Sequence, residues 1–304
     1  MQSAEIRLGT RGSPLALAQA ELTQRLLATL HGAGLGIAIR PIRTTGDRIT
    51  DRPLAEAGGK GLFTKEIDEA LLSGAVDLGV HSAKDLPTKL PDGLVIAACL
   101  KRADVRDAFI SHKAARLLDL PKGAVLGTSS LRRKAMALRL RPDLKVVDMR
   151  GNVETRLRKL EEGKAVATLL AVAGLTRLGL ESRAASLLAP EMWLPAVGQG
   201  TIVLVARAGD AATLERLAGL DDRPTTLALA AERAFLDVLD GSCRTPIGGL
   251  ARIEGEVLSF RGIIVKPDGS AFHEVARDGA ATAAAAIGAE AGADLLRRGG
   301  PGFF

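Results

Sequence analysis

The sequence predicts an α/β protein with two similar lobes around a cleft, followed by a small α+β domain with a three-stranded antiparallel sheet. Strand and helix patterns alternate through residues 6–177, which is typical of a largely parallel or mixed sheet with helices on its faces. Two crossings between these blocks, near residues 101–104 and at the Pro- and Gly-marked stretch 194–200, indicate a hinged pair of lobes. The last block reads as an antiparallel meander closed by an Ala-rich helix.

The composition limits the partners that we expect. The chain has 304 residues, which leaves room for two or three domains, and a formal net charge of +6. Aromatic residues make up 3% of it, with no Tyr, and no long run of basic residues occurs, so nucleic acid is not expected as a partner. A concave site for a small polyanion fits the charge better.

Neither a membrane span nor a secretory signal is expected. The longest apolar stretch, residues 165–175, is too short to cross a bilayer. The N-terminus lacks the charged-then-apolar layout of a signal peptide. The two cysteines, Cys99 and Cys243, cannot build a disulfide framework, and nothing pairs them. These observations predict a cytoplasmic protein that has no membrane partner.

The first block is predicted to form the scaffold of one lobe. Ser13 is placed to cap a helix whose first residue is Pro14, and Cys99 is assigned to the core. The glycine-rich stretch 58–61 lacks the spacing of a Walker-type phosphate loop, so we interpret it as a mobile lid. The predicted strands span residues 6–10, 37–42, 76–80 and 94–100, and a second helix spans 63–72.

Polar side chains follow the strands of this block. Arg11 comes after the first strand, and Ser82, Lys84 and Asp85 come after the strand that ends at Val80. In such sheets, ligands bind beyond the carboxyl ends of the strands. The sequence therefore predicts that these side chains meet at one site.

The second block repeats this arrangement. Residues 125–128 form a strand end, and a helix then opens with two serines followed by Arg132 and Arg133. Free backbone N–H groups, hydroxyls and guanidinium groups make an anion site, although a capped helix with solvated charges explains the same residues. Further strands over 146–149 and 166–171 lead to Arg150, Arg156 and Arg177. Cations at several strand ends favour the anion site.

The third block differs from the first two. A strand over residues 201–207 returns to the first lobe before it begins. Strands over 251–254, 257–265 and 271–275, with a hairpin turn at 267–269, precede an Ala-rich helix that ends before Pro301. We expect a first lobe from residues 1–100 and 201–218, a second from 104–194, and a C-terminal domain from 221–304.

Cys243 lies in the loop 241–246, at the entrance to the C-terminal domain. A helical pattern over residues 227–239 precedes this loop, and Gly241 stands where a helix commonly ends. A thiol on a turn beside a rigid helix suits covalent chemistry, and the alternative is a small side chain buried under the turn. The loop alone leaves both interpretations open.

Ordered motifs run through nearly the whole chain. The most specific comprises residues 232–235, Leu239 and 241–248, and the others are 10–17, 58–63, 81–87, 127–133, 150–153, 170–175 and 194–200. Together they resemble the porphobilinogen deaminase (hydroxymethylbilane synthase) family. Three positions depart from its pattern: Ser242 stands where glycine is commoner, Val166 where Asp is frequent, and Val105 where Pro is frequent.

The resemblance implies a three-domain monomeric transferase of heme and tetrapyrrole biosynthesis, with a two-lobe cleft similar to periplasmic binding proteins. Such enzymes join four porphobilinogen units head to tail, lose ammonia at each step and release hydroxymethylbilane. It also implies that Cys243 holds a dipyrromethane cofactor through a thioether and that Asp85 is the catalytic carboxylate, with no metal. The implied binding residues are Arg11, Ser82, Lys84, Thr128, Ser130, Arg132, Arg133, Arg150, Arg156, Arg177 and Gln199.

The chemistry of the substrate agrees with these roles. Every pyrrole unit brings two carboxylates, and arginine grips a carboxylate with two hydrogen bonds. Loss of ammonia leaves an electron-poor azafulvenium, which Asp85 would stabilise by on the order of 4 kcal/mol at about 4 Å and an effective dielectric constant of about 20. Asp85 as a helix cap before Leu86 is the alternative. Lys84 either binds a carboxylate or keeps Asp85 ionised, and His81 is assigned a structural role.

Two other functions explain part of the sequence. A noncatalytic two-lobe protein for an organic anion accounts for the cleft and the arginines, but not for Cys243 or Asp85. A thiol hydrolase with Cys243 as nucleophile needs a lowered thiol pKa and a paired base. Arg244 would lower that pKa, whereas the C-terminus of the preceding helix opposes it.

Overall fold

The computed structural model describes residues 5–48, 61–239 and 245–303. The chain divides into two compact units, Met1–Ala103 with Thr201–Thr226 and Asp104–Gly200 with Leu227–Phe304. Each unit contains a five-stranded mixed sheet, and the second also carries a three-stranded antiparallel sheet. The predicted α/β class and the predicted C-terminal sheet are confirmed. Within the described ranges, no helix is long and apolar enough to cross a bilayer.

The N-terminal stretch of the first unit alternates strands and helices as predicted. Ser13 caps the first helix by accepting a hydrogen bond from the Ala16 N–H at 3.3 Å, and Pro14 is the first residue of that helix. The helix predicted from Phe63 begins at Lys65, because a turn that starts at Gly61, with φ of +83°, precedes it. The elements are β1 (Glu5–Arg11), α1 (Pro14–His31), β2 (Gly36–Ile42), α2 (Thr45–Arg48), α3 (Lys65–Leu72), β3 (Leu78–Ser82) and β4 (Leu94–Cys99).

The second unit contains three elements that the sequence did not predict, namely β5, α6 and β9. The residues between Ala171 and Arg177 were expected to form a turn at a strand end, because they include Gly174, but they form α6, in which Gly174 is buried. The largest fully buried side chains of the second unit include Trp193, Phe109 and Leu126. The elements are β5 (Asp107–Ser111), β6 (Val125–Gly127), α4 (Leu131–Leu140), β7 (Lys145–Val147), α5 (Val153–Glu161), β8 (Ala167–Ala171), α6 (Val172–Arg177) and β9 (Ser186–Leu188).

The two five-stranded sheets have the same layout. The chain returns to the first unit with β10 (Ile202–Arg207) and α7 (Ala211–Ala218). The strand orders are β2-β1-β3-β10-β4 and β7-β6-β8-β5-β9, and the fourth strand of each sheet runs antiparallel to the third. The first residue of β5 or β10 therefore lies at the edge where the parallel strands end.

The C-terminal sheet packs its inner face against two helices. It comprises β11 (Ile247–Glu254), β12 (Val257–Val265) and β13 (Phe272–Ala280), between α8 (Arg223–Val238) and α9 (Ala284–Gly299). Phe235 of α8 and Phe260 of β12 meet with ring centroids 5.0 Å apart in the core. β11 starts before the predicted Ala251 and β13 continues past the predicted Val275, because both pair with β12 along its length.

Two buried titratable groups of the first unit have opposed effects on its acid stability. Burial, and to a lesser extent the charge of Arg11, lowers the pKa of His81 to about 4. Burial, with a smaller contribution from Glu69, raises the pKa of Asp68 to about 6. Both side chains belong to residues that are 5% exposed, which agrees with the structural role expected of His81.

Between pH 7 and pH 5 we expect His81 to destabilise the fold and Asp68 to stabilise it. The unfolded chain protonates histidine near pH 6.5, before the native protein does, so His81 lowers the free energy of unfolding by about 2 kcal/mol as the pH falls. Native Asp68 takes up its proton before the unfolded chain does, which adds about 1 kcal/mol. Urea unfolding at both pH values should show a smaller acid loss for His81→Gln and a larger one for Asp68→Asn.

His112→Gln is the matched control, because this histidine is exposed. Its acid dependence should follow that of the wild type. If the free energy of unfolding depended on pH in the same way in all three variants, neither buried group would titrate differently in the folded protein and in the unfolded chain.

Candidate active site

Asp85 lies at the carboxyl edge of the first sheet. β3 ends at Ser82, and the chain continues as a 3-10 turn over Ala83–Asp85. The Ala83 N–H donates to the Thr201 carbonyl at 3.0 Å, which ties this turn to the residue before β10. The turn that carries Asp85 is therefore held by two neighbouring strands.

The surroundings of Asp85 leave its carboxylate open to solvent. Asp85 is exposed, and Lys84 is half-buried. No helix begins within residues 86–93, all of which the structure describes, so the interpretation of Asp85 as a helix cap is wrong. The structure thus presents a carboxylate, beside a lysine in the sequence, where strand ends predict a ligand site.

Ser82 is held by a side chain that the sequence did not single out. Gln19, on α1, is 2% exposed, and its Nε2 donates to Ser82 Oγ at 2.8 Å. Nothing local in the sequence reveals which strand this face of α1 covers, so the sequence gives no signal for this contact. The Ser82 hydroxyl is therefore oriented before any ligand arrives.

Arg11, the last residue of β1, already has a carboxylate partner. Its guanidinium pairs with Asp47 and lies over the Phe63 ring, 4.2 Å from the ring centroid. Burial would raise the pKa of Asp47, but hydrogen bonds from Arg11 and Thr44 hold it below its ordinary value. A ligand carboxylate that binds Arg11 competes with Asp47.

Thr128 and Ser130 shape the turn between β6 and α4 in the second unit. The Ser130 N–H donates to Thr128 Oγ1 at 3.2 Å, and Ser130 Oγ caps α4 by accepting from the Arg133 N–H at 3.4 Å. Ser129 Oγ is buried and has no hydrogen-bond partner among the described residues. The predicted helix start is confirmed, and anion binding by this turn stays a prediction.

Arg132 and Arg133 are buried and share one carboxylate, that of Asp107. Arg132 Nη2 lies 2.7 Å from Asp107 Oδ2, and Arg133 Nη2 lies 2.6 Å from Asp107 Oδ1. Each Nη1 donates to a main-chain carbonyl, that of Leu194 for Arg132 at 2.8 Å and that of Leu169 for Arg133 at 2.9 Å. The alternative of solvated charges on a capped helix is therefore wrong for these two arginines.

Arg150 and Arg156 flank the turn between β7 and α5. Asn152 caps α5 by accepting from the Thr155 N–H at 2.8 Å. Arg156 Nε donates to the Gly151 carbonyl at 2.9 Å, and Gly151 has φ of +117°, which favours glycine. Both arginines are half-buried, so the described turn keeps them partly accessible.

Arg177 is the last residue of α6 and not part of a strand-end turn. Its Nη2 donates to the Gly200 carbonyl at 2.7 Å. Burial lowers its pKa to about 10, so it remains charged at neutral pH. In the described parts of the chain, no carboxylate pairs with it.

Gln199 braces the Asp107 cluster. It is fully buried, and its Nε2 donates to the Val105 carbonyl at 2.7 Å and to Asp107 Oδ1 at 3.0 Å. The buried Glu232 of α8 accepts from the Gly198 N–H at 2.6 Å, which fixes the same loop. Direct contact between Gln199 and a cofactor stays a prediction.

Several predicted residues lie outside the described ranges. These are Cys243, its neighbours Ser242 and Arg244, and residues 58–60 of the predicted lid. Sequence reasoning also missed Asp107, which is the first residue of the buried strand β5. The signal was an acid directly before the apolar residues 108–110, but nothing local showed that this strand runs antiparallel to its neighbour.

The structure is that of an α/β protein in which each unit carries charged side chains at the carboxyl ends of its parallel strands, among them the exposed Asp85 in the first unit and the Arg132–Arg133 pair in the second. A family model described as porphobilinogen deaminase, dipyromethane cofactor binding domain, matches residues 6–215. A second, described as porphobilinogen deaminase, C-terminal domain, matches residues 226–297. The chain belongs to the porphobilinogen deaminase family.

Individual relatives agree with this assignment. The porphobilinogen deaminases of Nitrobacter winogradskyi and Nitrobacter hamburgensis are each 57% identical to the chain over 298 residues, which is 98% of it and 94% of theirs. Among solved structures, a periplasmic substrate-binding protein of an ABC transporter from Coxiella burnetii is 19% identical, with a TM-score of 0.44 over 75% of this chain and 96% of that one.

Family membership decides between the functions considered from the sequence. The chain is a transferase of tetrapyrrole biosynthesis that condenses porphobilinogen to hydroxymethylbilane, and its cofactor is a dipyrromethane. A noncatalytic anion-binding protein and a thiol hydrolase are thereby set aside.

Proposed function

We propose that Cys243 holds the dipyrromethane through a thioether, that Asp85 is the catalytic carboxylate, and that cations at the strand ends bind the carboxylates of cofactor and substrate. One observation carries the binding part of this proposal. The carboxyl edge of the second sheet holds more buried positive charge than the described protein groups neutralise. The proposed sets are Cys243 and Asp85 for attachment and catalysis, and Arg11, Ser82, Lys84, Thr128, Ser130, Arg132, Arg133, Arg150, Arg156, Arg177 and Gln199 for binding.

The charge excess arises from arginines that lack enough carboxylates. Arg132 and Arg133 together have one, Asp107, so one positive charge stays uncompensated. The Nε atoms of both are buried without a hydrogen-bond partner in the described residues. An unmade hydrogen bond of a buried donor costs about 1–3 kcal/mol, and more for a charged one. A ligand carboxylate would relieve both deficits.

The residues present fit a dipyrromethane. Its two pyrrole rings bring two carboxylates each, and the unpartnered Nε atoms and the half-buried Arg177 are groups that attract carboxylates. When bound, the cofactor supplies the free pyrrole carbon to which the first substrate unit is joined. The arginines hold acidic side chains and fix the orientation of the rings.

Asp85 would act on the substrate through its charge. Loss of ammonia from porphobilinogen leaves positive charge on the pyrrole, and an exposed carboxylate at a strand end is suited to approach its nitrogen. Asp85 can also pass a proton to the leaving amine. Lys84 and Arg11 would bind the acetate and propionate groups of the same ring.

We also propose that the enzyme works as a cytoplasmic monomer. Cys99 is 1% exposed at the end of β4, and the two cysteines of the chain cannot build a disulfide framework, which fits a reducing compartment.

Intact-protein mass spectrometry tests the proposed function. The resting enzyme should exceed the mass of its sequence by two linked pyrrole units, and the excess should survive denaturation. Brief mixing with porphobilinogen should add a ladder of further single units, with one ammonia released per unit. An enzyme that is fully active at the mass of its bare sequence would refute a covalently held cofactor.

A further inference from the structure

Asp107 accepts hydrogen bonds from four side chains of the second unit. Oδ1 accepts from Arg133 Nη2 at 2.6 Å and from Gln199 Nε2 at 3.0 Å. Oδ2 accepts from Arg132 Nη2 at 2.7 Å and from Trp193 Nε1 at 2.8 Å. A carboxylate has about four lone-pair sites, so this one is fully engaged.

This saturation excludes direct chemistry by Asp107. Burial would raise its pKa, but the charges of Arg132 and Arg133 outweigh burial and hold the pKa well below its usual range. Asp107 is 0% exposed and has no lone pair left for a substrate or a proton. Any contribution to the reaction must therefore pass through its partners.

The position of Asp107 in the sheet explains how its carboxylate can pair with both Arg132 and Arg133. It is the first residue of β5 and pairs with Ala171, the last residue of β8, because the two strands run antiparallel. Arg132 and Arg133 are neighbours on α4, and consecutive helical side chains diverge by about 100°. A common carboxylate is what draws the two guanidinium groups to one point.

The same contacts fix the planes of both guanidinium groups. Each is held by Asp107 on one nitrogen and by a main-chain carbonyl on another, as described for Leu194 and Leu169. Holding a binding group in place before the ligand arrives lowers the ordering cost of binding. One carboxylate for two guanidinium groups also retains one positive charge for the ligand.

We propose that Asp107 is a positioning residue of the carboxylate-binding edge. It orients Arg132 and Arg133 and neutralises only one of their two charges, so that the pair receives a carboxylate of the cofactor or the growing pyrrole chain. This inference rests on the proposed binding role of the two arginines. Trp193 supports it by holding Asp107 Oδ2.

Asp107→Asn tests this inference in the full-length enzyme. The amide keeps the size of the side chain but turns one acceptor into a donor that faces other donors. We expect the fraction of protein carrying the cofactor, measured by intact mass, to fall to less than half. In the loaded fraction the KM for porphobilinogen should rise at least fivefold. Trp193→Phe keeps the charges and removes one of the four donors to Asp107, so it should raise KM about two- to threefold. This variant tests the inference even if Asp107→Asn does not fold.

Asp143→Asn is the matched control, since Asp143 pairs with Arg141 within the same unit and contacts none of these residues. Both aspartate variants should lower Tm, but only Asp107→Asn should change cofactor content and KM. Values for Asp107→Asn and Trp193→Phe that match the control would overturn the positioning role, provided that Arg132→Gln and Arg133→Gln raise KM. If these two arginine variants bind as the wild type does, the proposed binding role of the arginines fails, and the inference with it.

Discussion

Cys243→Ala is expected to have the mass of its bare sequence and to be inactive. The thiol is the proposed point of attachment of the dipyrromethane, and alanine cannot form a thioether. Without the tether, the first condensation requires a free acceptor in solution, and tethering is worth effective concentrations on the order of 10⁵ M or more. Turnover should therefore fall to background. Intact mass and the rate of hydroxymethylbilane formation measure the two effects on one sample.

Cys99→Ala provides the matched control for this experiment. Cys99 is the other cysteine, 1% exposed at the end of β4, and alanine fills most of its space. This variant should keep the mass excess and most of the activity, with some loss of stability from the smaller side chain. Retention of the excess in Cys243→Ala, or its disappearance in Cys99→Ala, would place the attachment elsewhere.

Features encoded by neighbouring residues could be predicted from the sequence. Ser13, Ser130 and Asn152 each cap a helix, and the first two helix starts follow from a hydroxyl residue before an apolar pattern. The hairpins of the C-terminal sheet follow from alternation and turn residues. These signals act over a few residues, so the chain itself displays them.

The partners of the charged site residues could not be predicted in this way. Asp107 meets Arg132 and Arg133 across 25 and 26 residues of chain, and that contact depends on the direction of β5 in the sheet. The apolar residues 108–110 are compatible with a buried strand, but the sequence does not show which strands would lie beside it or in which direction it would run. For the same reason, the pairing of Arg11 with Asp47 was not foreseen.

Arg177 was predicted in a turn at a strand end and lies in a helix instead, and the cause of this difference is a glycine. Gly174 resembles a turn residue in sequence, and glycine is disfavoured in helices by about 1 kcal/mol. The burial of Val172, Ala173 and Leu175 outweighs this preference, and α6 runs to Arg177. Because α6 follows β8 directly, Arg177 lies one short helix beyond the end of that strand, and its side chain donates to the Gly200 carbonyl.

Asp85→Asn should fold as the wild type does. It should load its cofactor more slowly, and its turnover should be about 10³-fold slower. The substitution removes the charge but keeps the shape of a side chain that is exposed, so the free energy of unfolding should change little. The loss follows from electrostatics: a carboxylate about 4 Å from the developing positive charge contributes on the order of 4 kcal/mol. Each 1.36 kcal/mol corresponds to a tenfold change in rate. Because that charge is absent in bound porphobilinogen, kcat should fall far more than KM rises.

Asp92→Asn separates this effect from a general change in surface charge. Asp92 is also exposed and also in the first unit, but it precedes β4, which runs parallel to β3, and so lies at the opposite edge of the sheet. Its kcat should equal that of the wild type within a factor of two. A proton-relay role alone would let kcat of Asp85→Asn recover when small carboxylic acids are added, whereas electrostatic stabilisation requires a charge fixed beside the ring and predicts little recovery. A kcat near normal for Asp85→Asn would exclude both roles, since no other exposed carboxylate follows β3 in this turn.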